Sequence, residues 1–220
     1  MTVNDCSSPE IAVMPPLHPS APRIKLFENK YLEQLTLISP RTFAVTWAVV
    51  LPLAAWIGWG AATPLQGLAL FAAGLVVWSL CEYVLHRFLF HWELDVPAVK
   101  WLVFLIHGNH HDNPNDPLRD MMPLSVSLPV SALVWSVCTM SLGAAGSWLF
   151  LGWIVGYVIY DVVHYACHQW PMRGRLGSML KRHHMRHHYV DEAGNFGISA
   201  TIWDRVFGSR ITSLKRQRIP

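Results

Sequence analysis

Long apolar stretches alternate along this chain with shorter segments in which the charges are gathered. Arg41 is followed by no Asp, Glu, Lys or Arg until Glu82, and Asp120 by none until Asp161, leaving two uncharged runs of 40 residues, 42–81 and 121–160. A helix rises about 1.5 Å per residue and a bilayer's hydrocarbon core is about 30 Å thick, so one crossing takes about 20 residues. Each run therefore predicts two crossings joined by a tight turn. Gly58, Gly60, Thr63 and Pro64 supply the breakers in the first run, and Gly143, Gly146 and Ser147 in the second. The pattern predicts an all-α membrane protein with four transmembrane helices in two hairpins, at 42–60, 65–86, 123–142 and 147–168.

Before them, residues 1–24 are rich in proline and lack a continuous apolar core, which predicts a disordered lead-in rather than a signal peptide. Across 25–40, Leu26, Phe27, Tyr31, Leu32 and Leu35 oppose Lys25, Glu28, Lys30 and Glu33. This predicts an amphipathic helix lying on the membrane surface; a helix packed on the cytoplasmic part fits the same pattern. Residues 41–220 form the membrane domain.

Composition agrees with this division. Hydrophobic residues make up 52% and charged residues 14%, where soluble domains carry about a quarter charged. A net charge of +3 gives no reason to expect nucleic acid as a partner. The four cysteines form no CxxC pair, which argues against a disulfide framework or a thiolate zinc site. All 17 Lys and Arg lie before residue 42, between 86 and 120, or after 168. By the positive-inside rule the termini and the middle loop are cytoplasmic, in a bacterial inner membrane or, in a eukaryote, the endoplasmic reticulum.

The 12 histidines lie on that same side or at its boundary. All but His18 form the groups Glu82-Tyr-Val-Leu-His86-Arg-Phe-Leu-Phe-His91, His107-Gly-Asn-His110-His111, Asp161-Val-Val-His164-Tyr-Ala-Cys-His168 and His183-His184-Met-Arg-His187-His188. Residues at i, i+3 and i+4 share a helix face, so His107, His110 and His111 project together, as do His184, His187 and His188, and as do His164 and His168. His183 falls about 100° off that face, and His18 reads as an isolated side chain of the lead-in. His86 and His91 are five apart, about 140° around a regular helix. Either the helix ends between them or they face different ions. Ten imidazoles are too many for one ion, and imidazole suits iron, copper or zinc. Glu82 and Asp161, each within a turn of a histidine, are expected to accept the outer N–H of metal-bound rings; pairing with Arg87 or another arginine is the alternative. Gly152 and Gly156 predict close helix packing within the chain.

Glu82-Tyr83, His86-Arg87-Phe88, Phe90-His91, His107-Gly108-Asn109-His110-His111, Gly156-Tyr157, Tyr160-Asp161, His164-Tyr165 and His184-Met185-Arg186-His187-His188 resemble the fatty acid hydroxylase superfamily. Phe196-Gly197-Ile198-Ser199 and Trp203-Asp204 are most similar to its fatty acid 2-hydroxylase branch, and the resemblance runs from about Lys25 to Phe207. It implies four membrane helices and a cytoplasmic helical cap holding a di-iron centre, with zinc as a possible substitute. The implied ligands are His86, His91, His107, His110, His111, His164, His168, His184, His187 and His188. The implied reaction inserts a hydroxyl from dioxygen into a fatty acyl chain, at carbon 2, with two electrons from a separate donor protein. Arg119 and Arg173, near the boundary, are candidates to receive the lipid head group. Arg119-Asp120-Met121-Met122-Pro123-Leu124 departs from the Arg-Leu-Val-Phe-Pro-Pro type of that branch, which bears on the substrate entrance. Sterol desaturases and carotenoid hydroxylases of the superfamily use similar boxes on other substrates. A metal transporter would need ligands at mid-membrane, and neither 40-residue run contains His, Asp or Glu.

Overall fold

The computed structural model describes residues 22–213; His18 and most of the Pro-rich lead-in lie outside the described residues. Among the described residues the structure is helical, with no strand. A short helix comes first, α1, Lys30–Leu35, and then the long α2, Pro40–Gly58. α3, Pro64–Leu85, continues directly into a π-helical turn at His86–Phe90. α4, Pro97–Val103, runs through a second π-turn, Phe104–Gly108, into the single α turn α5, Asn109–Asp112. α6, Leu124–Leu142, and α7, Gly146–Gln169, are joined by a 3-10 turn, and α8, Gly174–Tyr189, and α9, Ile202–Val206, complete the chain.

Three helical segments are long and apolar enough to cross a membrane: Pro40–Gly58, Pro64–Phe90 and Leu124–Gln169. The third is interrupted at Gly143, whose φ of 61° lies in the left-handed region that glycine tolerates. Trp135 Nε1 donates to Ser147 Oγ at 3.1 Å. Twelve residues of straight helix would separate that pair by about 18 Å, so the chain doubles back and α6 packs on α7.

The starts of these helices follow from local sequence. Ser39 accepts from Thr42 N at the start of α2 with Pro40 in the first turn, and Thr63 and Gln66 form a reciprocal capping box on α3. α7 is the central element, packing on α2, α3, α6 and α8. Its contact with α3 is backbone to backbone: a Cβ on Gly152 would stand 1.9 Å from Phe71 O, and one on Gly74 would stand 2.1 Å from Leu149 O. On α7, Gly152 and also Gly156, where a Cβ would stand 2.7 Å from Trp78 Cδ1, therefore serve packing inside the chain. Trp47, Trp78, Trp153 and Tyr157 fill the space between these helices with edge-to-face contacts. The outer faces are apolar and bare, with Trp56 74% and Met140 87% exposed, a surface suited to lipid rather than water.

The segment before α2 departs from the expected helix over 25–40. Only Lys30–Leu35 is helical, capped by Asn29. Glu33 Oε2 accepts the N–H groups of both Leu26 and Phe27, so those donors turn to a side chain instead of continuing a helix. This strap is tied to the loop before α6. Arg23 pairs with Asp116 at 2.6 and 3.0 Å, Ile38 N donates to Leu118 O, and Ser125 Oγ donates to Leu35 O.

Candidate metal centre

The helix geometry brings ten histidines together as two groups of five. His86, His91, His107, His111 and His187 form one nest, and His110, His164, His168, His184 and His188 the other. Within each, the ligand-capable nitrogens all lie within 4.8 Å of one another. The nests adjoin, for the rings of His111 and His188 stack at 4.2 Å between centroids. His183 stands apart, its Nε2 2.9 Å from Asp204 Oδ2.

The spacing question at His86 and His91 is answered by the π-turn. His91 N donates to His86 O at 3.2 Å, an i to i+5 bond, and the wider turn places residues five apart on one face. Both rings enter the first nest. In the second nest His164 and His168 make the corresponding pair with ordinary α-helical spacing along α7. The other two boxes cross over. His107 and His111 serve the first nest while His110 serves the second; His184 and His188 serve the second while His187 serves the first. The two nests thus have a matching make-up: a pair from a long helix, a pair from one box and a single ring from the other.

Backbone carbonyls hold three of the outer nitrogens. His86 Nδ1 donates to Phe196 O at 2.6 Å, His187 Nδ1 to Gly194 O at 2.8 Å and His164 Nδ1 to Asp120 O at 2.8 Å. A carbonyl only accepts, so these Nδ1 atoms carry the proton and leave Nε2 a bare lone pair. Asp120 Oδ1 lies 3.2 Å from His110 Nδ1, close but not aligned as a hydrogen bond, and Asp120 Oδ2 accepts from Gln169 at 2.6 Å. Glu192 Oε1 approaches His111 Nδ1 at 3.5 Å.

Glu82 and Asp161 do not face imidazole nitrogens, contrary to expectation. Glu82 accepts from the N–H groups of Ile198, Ser199 and Ala200 and from the Ser199 hydroxyl. Asp161 accepts from Met122 N and from the Tyr157 hydroxyl. Glu82 meets a run of N–H groups on a neighbouring segment, Asp161 one N–H of the lead-in to α6 and a hydroxyl of its own helix, and neither pairs with an arginine.

The donor set fits metal ions. A metal–imidazole bond of about 2.0–2.1 Å puts two nitrogens on one ion at most about 4.2 Å apart, close to the spread within each nest. His164 Nε2 is buried with no hydrogen-bond partner, and in the first nest the bare Nε2 atoms of His86 and His187 converge with three more rings. Lone pairs aimed at a common point repel unless a cation lies between them. Burial, with a smaller push from His111, lowers His91 to about 4 and His110 to about 3. His107, His184, His187 and His188 are held well below their ordinary value chiefly by burial. These rings are neutral at pH 7, the form that ligates. Asp120, pushed up to about 7 by burial against the pull of His164 and Gln169, would regain its charge beside a cation.

Residues 71–209 match the model of the family described as fatty acid hydroxylase. The chain belongs to the fatty acid hydroxylase family. It is 32% identical over 195 residues to a dihydroceramide fatty acyl 2-hydroxylase of Arabidopsis thaliana, covering 86% of this chain and 81% of that protein. It is 40% identical over 146 residues to a ceramide very long chain fatty acid hydroxylase of Schizosaccharomyces pombe, covering 63% of this chain but only 41% of that relative's length. The solved hydroxylase domain of full-length scs7p superposes with a TM-score of 0.76 at 32% identity, over 82% of this chain and 70% of that one.

In this family member a cavity of about 270 Å³ opens beside the nests, reaching His107, His110, His164 and Asp120 at one end and Phe27, Leu32 and Leu35 of the strap at the other. Phe90, Met122, Val126 and Tyr160 also line a second, almost wholly apolar cavity of about 200 Å³ that runs to Trp78 and Trp153 between α3, α6 and α7. Arg119 lies in the wall of the first cavity, but its guanidinium is committed to Glu33 at 2.5 Å, to Thr36 Oγ1 and to Ile24 O. Burial lowers its pKa against the pull of Glu33 and Asp116. Arg173 is exposed at the N-cap of α8 and lines neither cavity. Sequence reasoning missed Asp120, Glu192 and Asp204; Asp204 stands in the Trp203-Asp204 pair that carries part of the resemblance.

Proposed function

We propose that this chain is a membrane-embedded hydroxylase that inserts a hydroxyl at carbon 2 of a fatty acyl chain, free or lipid-linked. The observation that carries the reading is the meeting of two adjoining five-histidine nests with an apolar track leading from the membrane helices. Two irons, one per nest, would supply the activation of dioxygen with two electrons delivered by a separate redox protein; zinc, which imidazole also binds, could replace them. Everything else is the work of the protein's own residues.

The acyl tail lies along Trp78, Val126, Met122 and Phe90, and Tyr160 turns it toward His107, His110 and His164. Phe27, Leu32 and Leu35 close the far wall against water. Because Arg119 is already neutralised by Glu33, the head group meets a paired cation at that wall rather than a free one. α2, α3, α6 and α7 are the four crossings, with the reversal at Gly143 making two spans of the longest segment. The nests, the strap and both termini then lie on the side that holds every Lys and Arg, the cytoplasmic face. Tyr31 and Leu35, both exposed on α1, rest in the interface.

Expression in a host that lacks 2-hydroxy lipids, followed by mass spectrometry of total fatty acids, tests this reading. The expected product is a 2-hydroxy acid carrying oxygen from isotopically labelled dioxygen, absent with His164→Ala. Altered sterols or pigments in place of hydroxy acids would move the protein to another branch of the family.

A further inference from the structure

The loop 194–200 has no regular secondary structure, yet each of its N–H groups from Asn195 to Ala200 is engaged. Asn195 N donates to Ser209 O at 2.9 Å. Phe196 N and Gly197 N donate to the two oxygens of Asp204, both at 2.8 Å. Ile198, Ser199 and Ala200 donate to Glu82 Oε1. Asp204 is fully buried and also accepts from Ser209 Oγ and His183 Nε2. Asn195, fully buried at a φ of 56°, donates from its amide to His183 O and accepts from Ile211 N. A left-handed backbone at a residue other than glycine costs energy, and it persists where the surroundings over-determine it.

The carbonyls of this loop point the opposite way. Gly194 O and Phe196 O receive the Nδ1 protons of His187 and His86, both rings of the first nest and neither of the second. A ligating histidine keeps its tautomer and ring direction through the acceptor on its other nitrogen. Buried carboxylates that touch no ring of either nest thus act on two imidazoles through the backbone they hold.

We propose that Asp204, with Asn195 and Glu82, is a positioning residue for the first metal site alone: it holds the 194–196 carbonyls that aim His187 and His86. The inference rests on the reading of the nests as metal sites. Asp204→Asn replaces one of the two acceptor oxygens with an NH2 group that faces donors. Its expected effect is a metal affinity at the first site weakened ~10- to 100-fold, the range for residues that support ligands, with the second site unchanged.

The experiment measures iron per chain in the purified, detergent-solubilised protein, and the iron kept against a graded chelator. The wild type should hold two irons; a wild type that holds none sinks the reading of the nests, not this inference. Asp204→Asn should drop to about one under moderate chelator. Combined with His164→Ala it should hold none, and combined with His86→Ala it should lose no more than His86→Ala alone. A purely structural role would lower both sites together, so equal loss in the two backgrounds, or unchanged retention in both, overturns the proposal. If Asp204→Asn does not accumulate, Asn195→Gly keeps the left-handed backbone, deletes the amide contacts and is read by the same criteria.

Discussion

The two histidine nests are matched in composition and differ in what surrounds them. In the second, four of the five histidines are buried and His188 partly so, and the outer supports come from Asp120. In the first, His91 and His111 are only partly buried, and the supports come from Gly194, Phe196 and Glu192. One nest is set on a regular helix against the loop entering α6; the other is set on a π-turn against a loop near the C-terminus. The difference sets apart a more enclosed nest from one that opens further toward solvent.

The largest expected effect treats the nests as equals. His164→Ala and His86→Ala should each abolish hydroxylated product, and each should remove about one metal equivalent by elemental analysis. If either variant keeps most of its activity, the two nests do not work as a unit. The next effect separates them. A chelator titration of the wild type should be biphasic, the first phase disappearing in His86→Ala and the second in His164→Ala, because partly exposed ligands open more easily than buried ones. A single phase in all three proteins would abolish the contrast.

Asp120→Asn should weaken the second site ~10- to 100-fold by the same chelator assay, leaving the first unchanged. The smallest effect concerns the strap. Burial tends to raise the Asp116 carboxyl, but the Arg23 hydrogen bond, the Leu118 N–H and the charges of Arg23 and Arg119 outweigh it and hold the group below its ordinary value. Such a group adds stability above the unfolded carboxylate value near 4, and that contribution is lost as pH falls through the folded value. Arg23 is partly exposed, so Asp116→Asn should cost no more than about 1 kcal/mol at pH 7. Its melting temperature should begin to converge with that of the wild type only below about pH 4 and should meet it once pH has passed the lower folded value.

Much of this architecture is legible in the sequence because it is periodic. The uncharged runs mark α2, α3, α6 and α7 to within two residues at each end, since an apolar exterior leaves nowhere else for a charge to go. The i, i+4 spacing pairs His107 with His111, His164 with His168 and His184 with His188, whereas the i+3 members His110 and His187, expected on the same faces, turn to the opposite nest. What escaped is not local. Whether His86 and His91 share a nest depends on a π-turn, and no residue pattern announces it. Glu82 and Asp161 looked like partners of the histidines one turn away, but Glu82 is taken by three loop N–H groups and Asp161 by Met122 N and the Tyr157 hydroxyl. Of the carbonyls that reach the rings, those of Asp120 and Phe196 are 44 and 110 positions away from their histidines, while that of Gly194 is seven. Arg119 reads as an available cation at a boundary only until the strap is folded over it.

The crossing of the two boxes also acts as a ruler. His110 sits on the same short stretch of backbone as His107 and His111, and His187 on the same helix as His184 and His188, yet each serves the opposite side. The gap between the two nests is therefore fixed twice over by the pitch of a polypeptide, not by flexible side chains. Neither half can drift from the other without unwinding a helix, so any small molecule bridging them meets a preset span.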